Sequence, residues 1–282
     1  MADYRDLLSG YSIEVMSCDM ADMAASLDVL PHPRSVLIPA LASEGLADQV
    51  RAAAQARGLG IDPVCHIAAR RLASREQLES HLAALRDQAQ AQAVFLIAGD
   101  CPVGTGPFTE TMDLLETGLF AQHGIRTIGI AGHPEGHPTV DDAALWQALT
   151  AKSQAIVGSG LRCEIVTQFA FGAGQVLDWI AGVRERGIAD RLRIGVPGPA
   201  NIKTLLRYAR ICGVNASASV VAKYGFSLSR LFGAAGPDRF VSELAAGLEQ
   251  MGERNVKLHV FPFGGFAASA KWLSAAQHSC AA

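Results

Sequence analysis

The sequence lacks several features that would place it in particular protein classes. Its six cysteines are scattered and form no CxxC pair, so we expect reduced thiols and no disulfide framework. No apolar run approaches the roughly 18–20 residues that a membrane span needs. The first residues show no basic stretch followed by an apolar one, and no secretory signal is expected. These absences together predict a cytoplasmic protein.

The sequence also has no large excess of either positive or negative charge. The chain has 24 basic and 27 acidic residues, a net charge of −3, and no long run of like charge. This balance predicts neither a nucleic-acid nor a membrane partner. Half of the 282 residues are hydrophobic, which supplies ample material for a core.

Short apolar runs that resemble buried strands alternate with helix-periodic stretches such as 46–58 and 108–124. We predict strands at 12–16, 35–39, 61–67, 93–98, 127–131, 164–169, 192–197 and 258–263. Alternation of buried strands with helices indicates a parallel sheet, and eight such units in this length fit a (β/α)8 TIM barrel.

A doubly wound open sheet is the alternative fold, but the turn after the first strand lacks the GxGxxG fingerprint. We therefore predict a single α/β domain over residues 1–282, with a disordered tail at 275–282. The long gap between the last two strands leaves room for another strand within 216–232.

Polar or titratable residues follow most of the predicted strands, where (β/α)8 barrels carry their chemistry. In chain order the strand ends are marked by Glu14, Pro39, His66, Asp100, His133, Gln168, residues 197–198 and residues 261–264. We take the titratable and amide side chains among them as candidate site residues.

Three of these residues carry the strongest chemical hypotheses. Glu14 lies in an apolar strand, where it either reaches solvent or sits buried with a raised pKa suited to proton donation. Asp100 begins a Gly/Pro-rich loop, 99–107, whose glycines would let a ligand approach the backbone, although an Asx turn is the simpler interpretation. Gln168 both donates and accepts hydrogen bonds, which suits a heterocycle edge or a neighbouring loop.

The stretch GHPEGHP (132–138) places His133 and His137 four residues apart. Two prolines disfavour the continuous helix that a HExxH zinc site requires, and no third ligand stands nearby, so no metal is predicted. A cofactor-lining loop or a stiff turn remain as interpretations. His66 is a lone histidine, for which a structural hydrogen bond is the simplest role.

Six segments together resemble the methylenetetrahydrofolate reductase family. They are YSIEVM (11–16), VCHIAAR (64–70), LIAGDCPVGTG (96–106), AGHPEGHP (131–138), TQFAF (167–171) and RIGVPGPANIKTLLRYARICGV (193–214). The resemblance covers most of residues 11–214 and becomes weaker beyond them. It rests on the order of the motifs at strand ends rather than on any single one.

The resemblance implies an oxidoreductase with FAD at the C-terminal face of the barrel. Hydride from NADH or NADPH would pass through the flavin to 5,10-methylenetetrahydrofolate, giving 5-methyltetrahydrofolate. By this similarity Glu14 is the acid that helps open the folate's imidazolidine ring, and Asp100 lies beside flavin and pterin. Gln168 contacts the folate, and the flavin is lined by His66, His133 and His137.

The chain departs from the family pattern at three places. Pro39 stands where the family often has a hydroxyl residue contacting flavin. Of the basic residues expected for the FAD pyrophosphate, the stretch 152–160 keeps only Lys152. The last strand, HVFPFGGF (259–266), replaces a segment bearing Tyr, Asn and Arg, and its Gly264 and Gly265 suggest a backbone cradle for phosphate or ligand.

These departures leave three functional hypotheses. The first is the FAD-dependent folate oxidoreductase, in either direction. The second transfers hydride directly from nicotinamide to folate without flavin. The third is a folate-binding barrel without redox activity, against which the strand acid Glu14 argues. NADH and NADPH are not distinguished, and a homo-oligomer is compatible with the sequence.

Overall fold

The computed structural model describes residues 4–101, 104–211 and 236–279 as a closed parallel barrel in the order β1-β2-β3-β4-β5-β6-β7-β8. Its strands are β1 Ser12–Glu14, β2 Ser35–Ile38, β3 Asp62–Ala68, β4 Ala93–Ile97, β5 Thr127–Gly132, β6 Arg162–Phe169, β7 Arg191–Pro197 and β8 Val256–Phe261. The (β/α)8 prediction is confirmed. All eight predicted strands are present, with ends displaced by no more than two residues.

Helices follow the strands around the outside of the barrel. Their bounds are α1 Arg5–Leu8, α2 Met20–Ser26, α3 Leu46–Gly58, α4 Arg75–Ala89, α5 Thr111–Glu116, α6 Leu119–Gln122, α7 Asp142–Gly158, α8 Ala173–Glu185, α9 Ile202–Ile211, α10 Asp238–Met251 and α11 Phe266–Ser279. The periodic stretch 108–124 forms two helices rather than one, because Gly118 takes a left-handed conformation with φ +68° between them.

Helix ends follow ordinary capping chemistry. Ser74 accepts a hydrogen bond from the Gln77 N–H at the start of α4, and Asp141 accepts one from the Ala144 N–H at the start of α7. Such caps fix where each helix begins, and thereby fix the length of the loop that leaves the preceding strand at the C-terminal end of the barrel.

The last helix corrects one expectation about the end of the chain. α11 runs to Ser279, so residues 275–279, expected to be a disordered tail, are helical. Ala276 is buried in the core on this helix, and this contact explains the order. The predicted extra strand within 216–232 falls outside the described residues. No helix in the described ranges combines the length and apolar character needed to cross a membrane.

Side chains on the strands alternate between the helix layer and the barrel interior. The register of the eight strand pairs arranges the inward residues in layers of four from alternate strands. From the N-terminal end upward the central layers are Ser12, Val64, Gly129 and Arg193, then Leu37, Phe95, Val166 and His259, then Glu14, His66, Ala131 and Gly195. The C-terminal layer includes Ile97, Gln168 and Phe261.

The interior of the barrel therefore contains several polar side chains in contact with one another. Ser12 Oγ lies 2.9 Å from His259 Nδ1, and Arg193 Nε donates to Glu164 at 2.9 Å. The helix-facing residues of the strands are almost entirely aliphatic, and they form one continuous core with the helices. That core holds the barrel closed, while the inward residues are left to serve other roles.

Candidate functional site

Glu14, the last residue of β1, lies half-buried in the upper layer of the barrel interior. Two of the other three members of its layer are Ala131 and Gly195, so little side-chain volume fills the space around the carboxyl group. The described residues provide it with no hydrogen bond. Burial without compensation raises the pKa of Glu14 from 4.5 to about 7.

His66 shares this layer and is buried, with its ring 4.6 Å from that of Phe95. Its Nε2 atom is buried without a partner among the described residues. Desolvation lowers the pKa of His66 to about 3, so the imidazole is neutral at physiological pH. A neutral ring with an unused nitrogen suits a polar ligand atom or a water molecule.

Four predicted site residues come together beside this layer. The ring of His133 meets that of His137 edge-on with centroids 5.4 Å apart, and the His133 ring hydrogen-bonds the Gln168 side chain. Lys152, on α7, is close enough to add to the electrostatic field on His133. Desolvation, reinforced by His137 and Lys152, lowers the pKa of His133 to about 4, and its Nδ1 atom is buried without a partner.

The loop 133–140 that carries these histidines is a turn rather than a helix. The Gly136 N–H donates to the His133 carbonyl at 3.1 Å, with Gly136 at φ +78°. Glu135 Oε1 accepts from the Phe171 N–H at 3.1 Å, which joins the loop after β5 to the loop after β6. Burial raises the pKa of Glu135. Glu135 is not among the residues predicted from the sequence, where its place between two histidines is the only indication of a role.

Asp100 follows β4 at the same end of the barrel, but its environment differs from that of Glu14. Its carboxylate is exposed and accepts a hydrogen bond from Arg71 Nη2 at 2.6 Å. This hydrogen bond, together with the positive charge of Arg71, lowers the pKa of Asp100. Arg71 was not predicted as a partner, because nothing in the sequence indicates which residue of the turn after β3 reaches across to the loop after β4.

The Gly/Pro-rich loop after Asp100 is packed against the neighbouring turn. A Cβ atom on Gly106 would lie 2.3 Å from the Ala73 carbonyl oxygen, and the Arg70 guanidinium donates to the Thr109 carbonyl at 2.8 Å. The expectation that its glycines let a ligand approach is therefore wrong for Gly106, where glycine permits the loop to pack on 72–73. Gly99, at φ +95°, allows the chain to turn as it leaves β4.

The loop after β8 also differs from its prediction. A Cβ atom on Gly264 would lie 1.9 Å from the Pro199 carbonyl oxygen, so this glycine allows the loops after β7 and β8 to touch. The Gly265 N–H donates to the Pro262 carbonyl at 2.8 Å and is thus already used. Gly265 therefore does not offer its N–H to the phosphate cradle expected at Gly264 and Gly265, and the cradle stays a prediction.

Aromatic side chains form one side of the mouth, a feature that the sequence analysis missed. Phe169 contacts Phe263 and Phe261 with ring centroids 5.0 and 5.7 Å apart, and Tyr208 stacks on Phe263 at 4.0 Å. Phe261, Phe263 and Tyr208 are only partly buried. They offer ring faces to a flat ligand. The period-two spacing of His259, Phe261 and Phe263 was the available indication.

Within the described residues, no group of three or more histidine, cysteine or acidic side chains is placed to hold a metal ion. The polar groups of the mouth include the acid Glu14, the neutral imidazoles of His66 and His133, the Gln168 amide and Lys152. This set is suited to hydrogen bonding and proton transfer with an organic ligand.

The fold and these side chains define a (β/α)8-barrel protein whose polar mouth lies at the C-terminal ends of the strands. The family model for methylenetetrahydrofolate reductase matches residues 39–226, about two thirds of the chain. The chain belongs to this family. The match begins after β1, so Glu14 lies outside it.

Two solved structures resemble the whole chain. An uncharacterized protein from Clostridium thermocellum, which binds two copies of 5-methyl-5,6,7,8-tetrahydrofolic acid, is 11% identical, with 98% of each chain covered and a TM-score of 0.64. A dihydropteroate synthase from Thermus thermophilus is 12% identical over 95% of this chain and 91% of the other, with a TM-score of 0.47. At 11% identity the likeness to the first concerns the fold.

Proposed function

We propose that this protein interconverts 5,10-methylenetetrahydrofolate and 5-methyltetrahydrofolate, with hydride from or to NADH or NADPH. Family membership supports the folate chemistry. The observation that carries the redox assignment is Glu14, an uncompensated acid at the barrel mouth with its pKa raised to about 7. A pKa near 7 lets this group hold a proton and transfer it at neutral pH, which proton donation requires.

Glu14 is the proton donor in the reducing direction. With a pKa of about 7 it is half protonated at neutral pH, which is the condition under which a general acid works best. Its proton goes to the ring nitrogen that leaves the bridging carbon, and the imidazolidine opens to an iminium ion. Hydride then adds to the iminium carbon, and the product carries a methyl group.

The neighbours of Glu14 bind and orient the folate. Gln168 presents an amide to the donor and acceptor edge of the pterin, and the unpartnered Nε2 of His66 offers a further hydrogen bond in the same layer. Phe261 and Phe263 present ring faces for stacking. We assign Asp100 to the side of the pocket that holds the pterin and the flavin. It would contact the ligand after the Arg71–Asp100 hydrogen bond is replaced by one to the ligand.

The residues at β5 fit a flavin nucleotide in part. His133 carries a buried nitrogen without a described partner, and with His137 and Lys152 it would hold the ribityl and phosphate groups of FAD. When bound, FAD supplies a carrier that accepts hydride from nicotinamide and passes it on. His133 is neutral, so it would contribute a hydrogen bond to the phosphates and no charge.

A second candidate is direct hydride transfer from nicotinamide to folate without flavin. It is favoured by Lys152, the only cation that the stretch 152–160 offers to the pyrophosphate. Desolvation lowers the pKa of Lys152, and the charge of Glu110 acts on the same ammonium group. One desolvated lysine that already interacts with a carboxylate binds a dianion weakly.

The test combines an absorbance spectrum with an activity assay. Purified protein, with and without added FAD, is scanned for flavin bands and then mixed with NADH and 5,10-methylenetetrahydrofolate while NADH oxidation is followed. In Glu14→Gln we expect kcat to fall by roughly 10²–10⁴-fold with folate affinity retained. Glu185→Gln, an exposed carboxyl on α8, is the matched control and should turn over normally.

Each result separates the hypotheses. Turnover without flavin bands and without stimulation by FAD selects the direct transfer. Folate binding with no turnover in the wild-type protein, in both directions and with both nicotinamides, selects the non-redox barrel. Equal kcat for Glu14→Gln and the wild-type protein removes Glu14 from the chemistry.

A further inference from the structure

A second cavity opens at the opposite end of the barrel, where the strands begin. It has a volume of about 480 Å³ and is lined by residues at the starts of β2 through β7 and at the ends of α3 and α7. This volume is within the range of small-molecule sites, roughly 300–1,000 Å³. No part of the proposed folate chemistry uses it.

One side of this cavity, at β2 and β3, has two arginines around one carboxylate. Arg34 Nε lies 3.1 Å from Asp62 Oδ2, and Arg57 Nη1 lies 2.8 Å from Asp62 Oδ1. Since both guanidinium groups share a single aspartate, this side carries one positive charge in excess. We call these three residues the β2–β3 charge group.

The other side of the cavity, at β6 and β7, also has one positive charge in excess, from a larger set of residues. Arg193 Nε donates to Glu164 Oε2 at 2.9 Å, and Arg191 Nη1 lies 3.5 Å from Glu164 Oε1. Arg162 lines the same wall, and no described residue forms an ion pair with it. Asp190 is the second acid and hydrogen-bonds Ser153. Three arginines against two acids again leave one positive charge; these five residues are the β6–β7 charge group.

The two charge groups face each other across the barrel. β2 and β3 are four strands away from β6 and β7 in a closed ring of eight, which places the groups on opposite sides. Between them the cavity wall is formed by Gln92, Ala93 and Thr127, which carry no charge, with the apolar side chain of Val64 beside them. An occupant that matches this wall has one anionic group at each end and a hydrocarbon segment in the middle.

We propose that this cavity is a second ligand site that binds a linear aliphatic dicarboxylate. Each carboxylate offsets the single excess positive charge of one group. It accepts hydrogen bonds from Arg34 on one side and Arg162 on the other, because Arg57 and Arg193 already donate to protein oxygens through all three guanidinium nitrogens. The methylene chain lies against the uncharged wall. Arg162 is exposed at the rim of the cavity and forms no ion pair with a described residue, so its guanidinium is free to take a ligand carboxylate.

The test is isothermal titration of the intact protein with glutarate and adipate, with butyrate as a monocarboxylate of similar length. We expect saturable binding of at least one dicarboxylate and at least tenfold weaker binding of butyrate. Arg162→Gln should weaken dicarboxylate binding by roughly tenfold or more, since it removes a charge-assisted contact. Arg239→Gln, an exposed arginine on α10, should leave the affinity unchanged.

Stability measurements keep the result interpretable. Because no described ion pair depends on Arg162, the melting temperature of Arg162→Gln should equal that of the wild-type protein. The turnover at the opposite end should also be unchanged, so this proposal and the folate proposal fail independently. Absence of binding by both dicarboxylates, or equal binding by the wild-type protein and Arg162→Gln, overturns the proposal.

Discussion

The two ends of the barrel treat their buried polar groups in opposite ways. At the C-terminal mouth, Glu14 has no described hydrogen bond, and His66 and His133 each keep one ring nitrogen without a described partner. At the N-terminal end, Glu164 is held by Arg193 through two hydrogen bonds and Asp62 is held by two arginines. These three groups of the mouth are left for a ligand, whereas the other end satisfies its carboxylates within the protein.

The pKa values follow this difference. Desolvation alone shifts the pKa of Glu14 upward and that of His66 downward, so each residue is shifted toward its neutral form. Lower in the barrel, the charge of Arg193 joins desolvation in keeping His259 neutral. A buried group with a perturbed pKa and no partner is the usual mark of a functional site, while a paired one more often serves structure.

Breaking the N-terminal pair is expected to have the largest effect on stability. Arg193→Met removes a fully buried cation and leaves Glu164 without its closest partner, so the free energy of unfolding should fall by about 3–5 kcal/mol. Urea unfolding followed by circular dichroism measures this loss. The carbonyl of Gly10 also loses its hydrogen bond from Arg193, which adds to the cost.

Arg191→Met provides the matched control for this prediction. Arg191 contacts the same glutamate but is half exposed, and an exposed ion pair contributes about 0–1 kcal/mol. A loss of similar size in both variants would mean that burial does not distinguish the two arginines, and the contrast between the ends would then rest on the mouth alone.

The strand pattern could be read from the sequence because it depends on local chemistry. Runs such as 93–98 are apolar throughout, as strands covered by helices on one side and by the interior on the other must be, and turn residues bound each run. The layers of inward-facing residues could not be predicted from the sequence, because they depend on the stagger of the strands around the closed barrel. That Glu14 and His66 share a layer with two small residues follows only from the register.

Gly264→Ala, which adds one methyl group at the mouth, should lower the free energy of unfolding by less than Arg193→Met does. Gly264→Ala places a Cβ atom 1.9 Å from the Pro199 carbonyl oxygen, and the loops after β7 and β8 must separate, at a cost of about 1–3 kcal/mol. Thermal unfolding measures the loss. A loss of this size would show that close backbone packing sets the shape of the mouth, whereas paired charges stabilise the other end.

Gly174→Ala is the control for this second prediction. Gly174 lies in the first turn of α8, and nothing stands within 4 Å of an added Cβ atom. Alanine there should stabilise the protein by up to about 1 kcal/mol through the unfolded chain. Opposite signs for the two substitutions are expected, and a neutral Gly264→Ala would contradict the close approach.

Most of the candidate site was predicted from residues that lie on a strand or follow one, whereas Lys152, on α7, came from the family resemblance alone. Glu14, His66, His133 and Gln168 follow from the ends of strands, and the structure brings His133, His137, Gln168 and Lys152 together. Contacts between loops were not accessible in this way. The pairing of Asp100 with Arg71 and of Glu135 with the Phe171 amide depends on how separate loops fold over the mouth.

The stability of the mouth should depend on pH through Glu14. Its folded pKa of about 7 is raised above the ordinary 4.5, so the folded state is favoured while Glu14 is protonated and loses stability as pH rises from about 4.5 to about 7. Glu14→Gln removes this loss. At pH 8 the variant should be more stable than the wild-type protein by about 1–2 kcal/mol after solvent screening, and at pH 5 the two should be nearly equal.

Urea unfolding at pH 5, 6, 7 and 8 tests this dependence, with Glu185→Gln as the exposed control that should follow the wild-type curve. A constant difference between Glu14→Gln and the wild-type protein across this range would mean that the carboxyl group titrates near its ordinary value, and the general-acid assignment would lose its physical basis.

The smallest expected effect concerns His66, whose unpartnered nitrogen should reduce stability in exchange for ligand binding. His66→Leu replaces the buried ring with an apolar side chain against Phe95, and relief of the unpaired polar atom should leave the free energy of unfolding unchanged or raised by up to about 1 kcal/mol. His259→Leu is the contrasting variant. It also removes an unpartnered Nε2, but it breaks the Nδ1 contact with Ser12 and leaves that buried hydroxyl unpaired, so it should lower stability. Urea unfolding and folate titration of both variants separate the two roles. A clear loss of stability in His66→Leu would mean that this nitrogen is satisfied within the fold, and the mouth and the opposite end would then follow the same rule.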